Sequence, residues 1–250
     1  MFVFNERQLA VYSLVVLFLG LAIGFAIGSF STAELISYES LPEGSFSAEI
    51  KLAAVTSAGE GMLSLAEVEV KDGKGRVLFA MNPFVEPDTQ FSAETAALVA
   101  QKFTHKSLKN KDVIYSIKAE NVQLVGGPSA GAALTAATIA AILHKNVRND
   151  VIITGTINKD GSIGRVGGIL EKAQAAAKAG IKIFLVPKGQ GKITIYEKKV
   201  EEKRGPGFIF QTIEYVPKEV DLNKLMYEQH KMQVIEVSNI KEALKYILTS

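Results

Sequence analysis

Apolar residues in this chain recur at every second position in some stretches and fill short unbroken runs in others, and each pattern predicts its own element. Residues 47–55 and 63–70 alternate or run apolar and predict strands. The turn residues of 71–75 separate them from a third strand over 76–81, so the sequence predicts an antiparallel meander. Residues 82–88 hold two prolines and read as a loop bordering a substrate groove. A helix is predicted over 91–103 and a strand over 113–117. Residues 119–125 then predict an exposed edge able to pair with an extended peptide. Residues 132–143 are apolar nearly all round, which predicts a buried helix. A short apolar run at 151–153 predicts a strand, and Asp160-Gly161 a tight turn in the hairpin-like stretch 158–162. A helix follows over 169–179, closed by Gly180, and then a strand over 181–186 ending at Pro187. Residues 192–196 and 208–215 predict a hairpin around Arg204-Gly205-Pro206-Gly207, whose flank 198–204 mixes charge signs as a solvated arm does. These elements predict one α/β (α+β) domain over 47–250, after a linker at 31–46.

The N-terminus follows another rule. Residues 8–33 carry no charge, and 9–30 form 22 residues able to span about 30 Å of hydrocarbon as a helix. A cleaved signal peptide has a shorter apolar core, so residues 1–30 are expected to be an uncleaved signal anchor, one transmembrane helix in contact with membrane lipid. Gly20, Gly24 and Gly28 recur every four residues, the small-residue spacing of close helix packing. Arg7 precedes the span, and Glu34, Glu39, Glu43 and Glu49 follow it before the first lysine, Lys51. That asymmetry predicts a single-pass protein of the cell membrane with its catalytic domain on the extracytoplasmic side.

Two residues 43 apart carry the candidate chemistry, Ser129 and Lys172. Ser129 lies in Gly126-Gly127-Pro128-Ser129-Ala130-Gly131, and Pro128 suits the first position of a helix. Free N–H groups at that helix start, around Gly127, Ala130 and Gly131, suit an oxyanion hole and the close approach of a substrate. The bland alternative is a small residue at a helix start, or an anion-binding glycine loop. Lys172 lies in Val166-Gly167-Gly168-Ile169-Leu170-Glu171-Lys172, near the N-terminus of its own helix. There the dipole disfavours a cation, and burial would lower the amine pKa further. A lysine so tuned can take the proton of a serine nucleophile; left in solvent, it is an ordinary surface residue.

Together these motifs resemble the proteolytic domain of Lon proteases. The family places its serine in Gly-Pro-Ser-Ala-Gly, here Gly127 to Gly131, and its lysine in Gly-Gly-x-x-x-Lys, here Gly167 to Lys172. An alanine-rich helix, an Ala-Gly and a strand ending in proline follow, here Ala175-Ala176-Ala177, Ala179-Gly180 and Pro187. Thr154-Gly155 matches a Thr-Gly whose threonine helps position the family's lysine. The resemblance is specific over 122–187, looser over 60–121, and resumes over 232–248, where residues 233–237 and 240–244 resemble the family's closing strand and helix. It implies the Lon proteolytic-domain fold, Ser129 as nucleophile, Lys172 as general base, Thr154 as support, no cofactor, and polypeptide substrates cut by a homo-oligomer. The chain departs from the pattern at Gly126, where many members have aspartate, and at 188–231, which reads as an insertion. It contains no Gly-x-x-x-x-Gly-Lys-Ser/Thr phosphate loop, so an ATP-independent serine endopeptidase is expected. The alternative is a Lon-fold binding or assembly module with a vestigial dyad, partnering a separate ATPase.

Composition narrows the rest. A formal net charge of +2 gives no reason to expect nucleic acid. With no cysteine and three scattered histidines, His105, His144 and His230, no metal site is expected.

Overall fold

The computed structural model describes residues 37–249 except 81–82, 120–123 and 206–207. The predicted span at 9–30 lies outside the described residues. Among those that are described, no helix is long and apolar enough to cross a membrane.

Residues from Tyr38 to Ser250 make one compact unit. Its first layer is a four-stranded sheet. Ser45–Val55 pairs antiparallel with Gly61–Asp72, which pairs antiparallel with Lys111–Lys118. Val77–Phe79 lies on the far side of Lys111–Lys118 and runs parallel to it. The predicted meander is therefore corrected, because Lys111–Lys118 inserts between the second and third strands. Asp112 explains the insertion. Its buried carboxylate accepts from the Lys74 and Arg76 N–H groups and from the Arg76 guanidinium, tying the 73–76 turn to the inserted strand. That guanidinium holds the Asp112 carboxyl well below the usual range.

Alternation decides which face of this sheet is inward. Ala66, Val68 and Val70 are fully buried, as is Tyr115. They face the helix Gly131–Leu143, in which every residue through Ile142 is buried. A helix apolar on all sides suits only such a central place. Its polar groups are satisfied internally. Thr135 and Thr138 donate to carbonyls one turn back, and Thr138 also meets the Tyr115 hydroxyl at 2.8 Å.

The second sheet is parallel, with Ile183–Pro187 between Val151–Ile153 and Gln233–Val237. Each parallel step needs a crossover. The helix Ile169–Lys178 supplies the first and Leu222–His230 the second. The latter is absent from the sequence reading, although Asp221 caps it by accepting from Lys224 N–H at 2.9 Å. The closing helix Ile240–Ile247 buries Ile240, Ala243, Leu244 and Ile247, one apolar stripe. The architecture is the expected α/β (α+β) mixture.

Three further boundaries differ from expectation. The linker expected to run to residue 46 is partly structured. Glu39–Ser40 pairs with Lys106–Ser107, and Lys106 forms an ion pair with Glu39. The first helix begins at Pro87, four residues before the predicted start, because proline suits the opening turn. The hairpin strands are much longer than expected, Lys192–Gly205 and Phe208–Asp221, paired in unbroken register.

Candidate active site

Both motif residues sit where a loop becomes a helix. Pro128–Ala130 forms one 3₁₀ turn, and the α-helix begins only at Gly131. Ser129 is thus half-buried on a tight turn rather than inside an α-helix. Gly127 before it has φ 93°, in the left-handed region, and open space where a side chain would stand. Gly131 behaves otherwise. Its N–H donates to the Pro128 carbonyl, and a Cβ there would lie 2.8 Å from an Ile157 methyl. Its donor is thus used in the turn and its bare face is packed. Ala130 remains half-buried in the turn.

Lys172 is in the first turns of Ile169–Lys178, which opens at Gly168 with φ 66°. The residue is 4% exposed, and its amine donates to Thr154 Oγ1 at 3.3 Å. Burial disfavours the ammonium and brings the amine pKa down to about 8, against a smaller opposing pull from the Glu171 carboxylate.

A two-residue bracket joins the motifs. Thr154, 1% exposed, follows the strand Val151–Ile153 and touches the lysine. Gly155 touches the serine turn twice. Its N–H donates to the Ser129 carbonyl, and its carbonyl accepts from Ala132 N–H, both at 3.0 Å. Ser129 and Lys172 consequently line one cleft of about 440 Å³, together with Val55, Gly126, Gly168 and Glu171. That volume is in the range of small-ligand and peptide subsites. Among the described residues no cluster of metal-ligating side chains occurs.

Several residues of the site are missing from the sequence reading. Thr89 Oγ1 donates to the Gly127 carbonyl at 3.0 Å, so the first turn of Pro87–Thr104 anchors the serine loop. The Pro-Asp-Thr helix start was its signal. Glu86 is a second. A Cβ on Gly126 would lie 1.8 Å from its carboxylate oxygen. The space of the aspartate that many members carry at that position is thus taken here by a carboxylate from a different element. Gly61 is a third. A Cβ on it would lie 1.9 Å from the Glu171 carbonyl oxygen. The long strand thus rides directly on the backbone that precedes Lys172. Gly61→Ala should force that helix turn away, costing about 1–3 kcal/mol as overpacking does. It should also reduce hydrolysis roughly 10–100-fold through misplacement of the amine. Thermal unfolding and peptide kinetics on the purified variant check this; native values for both would mean that the helix turn yields freely.

Known proteins similar to this chain agree on one family. The family model of the Lon protease (S16) C-terminal proteolytic domain matches residues 39–204. A Lon protease of Neorickettsia sennetsu is 28% identical over 199 residues, 78% of this chain and 21% of that protein. One from Elusimicrobium minutum is 32% identical over 136 residues, 54% of this chain and 16% of that protein. One from Chloroflexus aggregans is 45% identical over 65 residues, 26% of this chain and 8% of that protein. The chain spans about a fifth or less of the length of these relatives. On a match that covers most of the described domain, the chain belongs to the Lon protease C-terminal proteolytic domain family, a family of serine endopeptidases.

Proposed function

We propose that this chain hydrolyses peptide bonds in flexible or unfolded polypeptides with a Ser129–Lys172 dyad, without ATP, as a homo-oligomer held at the membrane by residues 9–30. The observation that carries the dyad is the state of Lys172: an amine in the cleft it shares with Ser129, buried, hydrogen-bonded to Thr154 and depressed toward neutrality. The neutral amine takes the Ser129 hydroxyl proton as Oγ bonds to the carbonyl carbon. The oxyanion is met by backbone N–H groups of the turn around Ser129. The resulting ammonium gives its proton to the leaving amine as the C–N bond breaks. Water then attacks the acyl-serine, Lys172 takes its proton and returns one to Oγ, and the acid is released. Thr154 holds the amine at one rotamer throughout.

ATP independence rests on the lack of a phosphate-loop motif in the sequence. Anchoring and outward orientation rest on the uncharged stretch 8–33 and on Arg7 before it with glutamates after. One experiment tests dyad, anchor and orientation. A membrane-impermeant, serine-reactive fluorophosphonate is applied to intact cells expressing the native chain or Ser129→Ala. Labelling of the native chain alone, in the membrane fraction, is the expected result. Equal labelling of both would remove Ser129 as the nucleophile. Labelling only after lysis would reverse the orientation, and labelled soluble protein would remove the anchor. A native chain that never labels, whatever the access, would favour the binding-module alternative.

A further inference from the structure

The ribbon formed by Lys192–Gly205 and Phe208–Asp221 has two unlike faces. Directly opposed residues share a face, and so do positions two apart. Ile193, Ile195, Val216 and Val220 occupy one face near the ribbon's base and are half-buried. Ile193 among them packs against the core around Leu222 and Met226. The register puts Tyr196, Val200, Ile209, Ile213 and Tyr215 together on the other face, and they are 47–67% exposed. The two strands pair only with each other among the described residues, so each also offers an open edge of backbone N–H and C=O groups.

The base of this ribbon is fastened to the wall of the active-site cleft. Gln190, nearly buried, accepts from the Val166 N–H at 2.9 Å and donates to the Val166 carbonyl at 2.8 Å. Arg165 donates to the Gly189 carbonyl at 2.9 Å. Val166 immediately precedes Gly167-Gly168, which line the cleft beside Ser129 and Lys172.

We propose that the outer face of the ribbon docks extended, apolar stretches of the polypeptide to be cleaved, which add as a strand along one open edge. The inference rests on the peptidase reading and names its substrate class: non-native chains that expose alternating apolar side chains. Strand addition supplies affinity through the backbone, and the stripe of Tyr196, Val200, Ile213 and Tyr215 selects apolar side chains at every second position. Two other occupants fit less well. Residues 192–221 carry six basic and six acidic side chains, so nothing draws the ribbon to nucleic acid or to anionic lipid. At about 3.4 Å a residue and about 10 Å width, the face offers roughly 500 Å². Two copies face to face would bury roughly 1,000 Å², below the ~1,200–2,000 Å² of stable interfaces.

Binding is measured apart from catalysis. The full chain carrying Ser129→Ala, in lipid nanodiscs, is titrated against a fluorescent, permanently unfolded carboxymethylated protein. Adding Tyr196→Ser, Ile213→Ser and Tyr215→Ser should raise Kd at least tenfold. These exposed positions should leave the fold unchanged, which circular dichroism checks. Tyr196→Phe with Tyr215→Phe should bind as the parent does, because the apolar face is kept. In the Ser129 background, hydrolysis of a four-residue fluorogenic peptide by the triple variant should stay within twofold of native. An unchanged Kd in the triple variant overturns the proposal. So does a smaller sedimenting mass of the triple variant, which would give this face to a second copy. Failure of the native chain to hydrolyse the short peptide would sink the peptidase reading while leaving the binding result to stand or fall alone.

Discussion

Lys172→Arg and Ser129→Ala should each abolish peptide hydrolysis, with losses on the order of 10⁴–10⁶ in kcat, as when members of a serine nucleophile–base unit are removed. The two losses arise differently. Ser129→Ala removes the atom that bonds to the carbonyl carbon. Lys172→Arg keeps a long basic side chain, but a guanidinium stays protonated above pH 12 and cannot accept the hydroxyl proton. Its planar fork must also replace the compact amine of a buried residue, aimed at Thr154 Oγ1. Because the pair acts as one unit, the double variant should be no slower than either single one. Ser129→Ala removes one oxygen from a half-buried turn, so its thermal midpoint should stay near native. Initial rates on a short peptide and calorimetry of the three variants check these points. More than about one hundredth of native activity in purified Ser129→Ala would transfer the nucleophile elsewhere.

How far the sequence carries the site depends on how local each determinant is. The two motif residues were legible because each lies in a short glycine-marked segment that closes over a few residues. Thr154 entered through the family resemblance; what the structure adds is Gly155, whose bonds to Ser129 and Ala132 put serine and lysine in one cleft. Gly61 and Glu86 were not legible. Their roles are close approaches to Glu171 and Gly126, residues 110 and 40 positions away in the chain. No periodicity reports such a meeting. The strand order failed for the same reason. Local alternation fits a meander, and only the buried Asp112 with its Arg76 partner marks Lys111–Lys118 as the strand between. At Gly131 two demands, backbone approach and close packing against Ile157, look alike in the sequence, because both show as one missing side chain. The helix Leu222–His230 was hidden behind the ribbon's mixed charges, although Asp221 and the buried Leu222 and Met226 sit at the spacing of a short amphipathic helix.

The second large effect is in pH, where activity and stability should depend on the same proton. With the amine pKa at about 8, the neutral fraction falls tenfold per unit below that value. The kcat/KM for a short neutral peptide should therefore rise about tenfold per pH unit from pH 5 to 7 and level off above pH 8, roughly 10³-fold in all. Stability must follow the opposite partner of this linkage. The unfolded chain holds the Lys172 proton up to 10.5, the folded chain only to about 8. Burying the amine therefore penalises the fold fully below pH 8, and the penalty is released as pH rises from 8 to 10.5, since the unfolded state then binds more protons. A shift of that size corresponds to about 3 kcal/mol, an order-of-magnitude figure. Lys172→Met keeps the unbranched shape and removes the charge. It leaves the Thr154 hydroxyl without its donor, a cost of about 1 kcal/mol. The variant should be inactive yet more stable than native at pH 7, by several degrees at about 2–4 °C per kcal/mol. It should also lack the gain in stability that the native chain shows between pH 8 and 10.5. Calorimetry of both proteins across pH 6–10.5, beside the rate profile, makes the comparison. A Lys172→Met chain less stable than native at pH 7, or a native rate that is flat from pH 5 to 8, would mean that burial does not lower the Lys172 amine pKa in the folded protein and that another group takes the Ser129 proton.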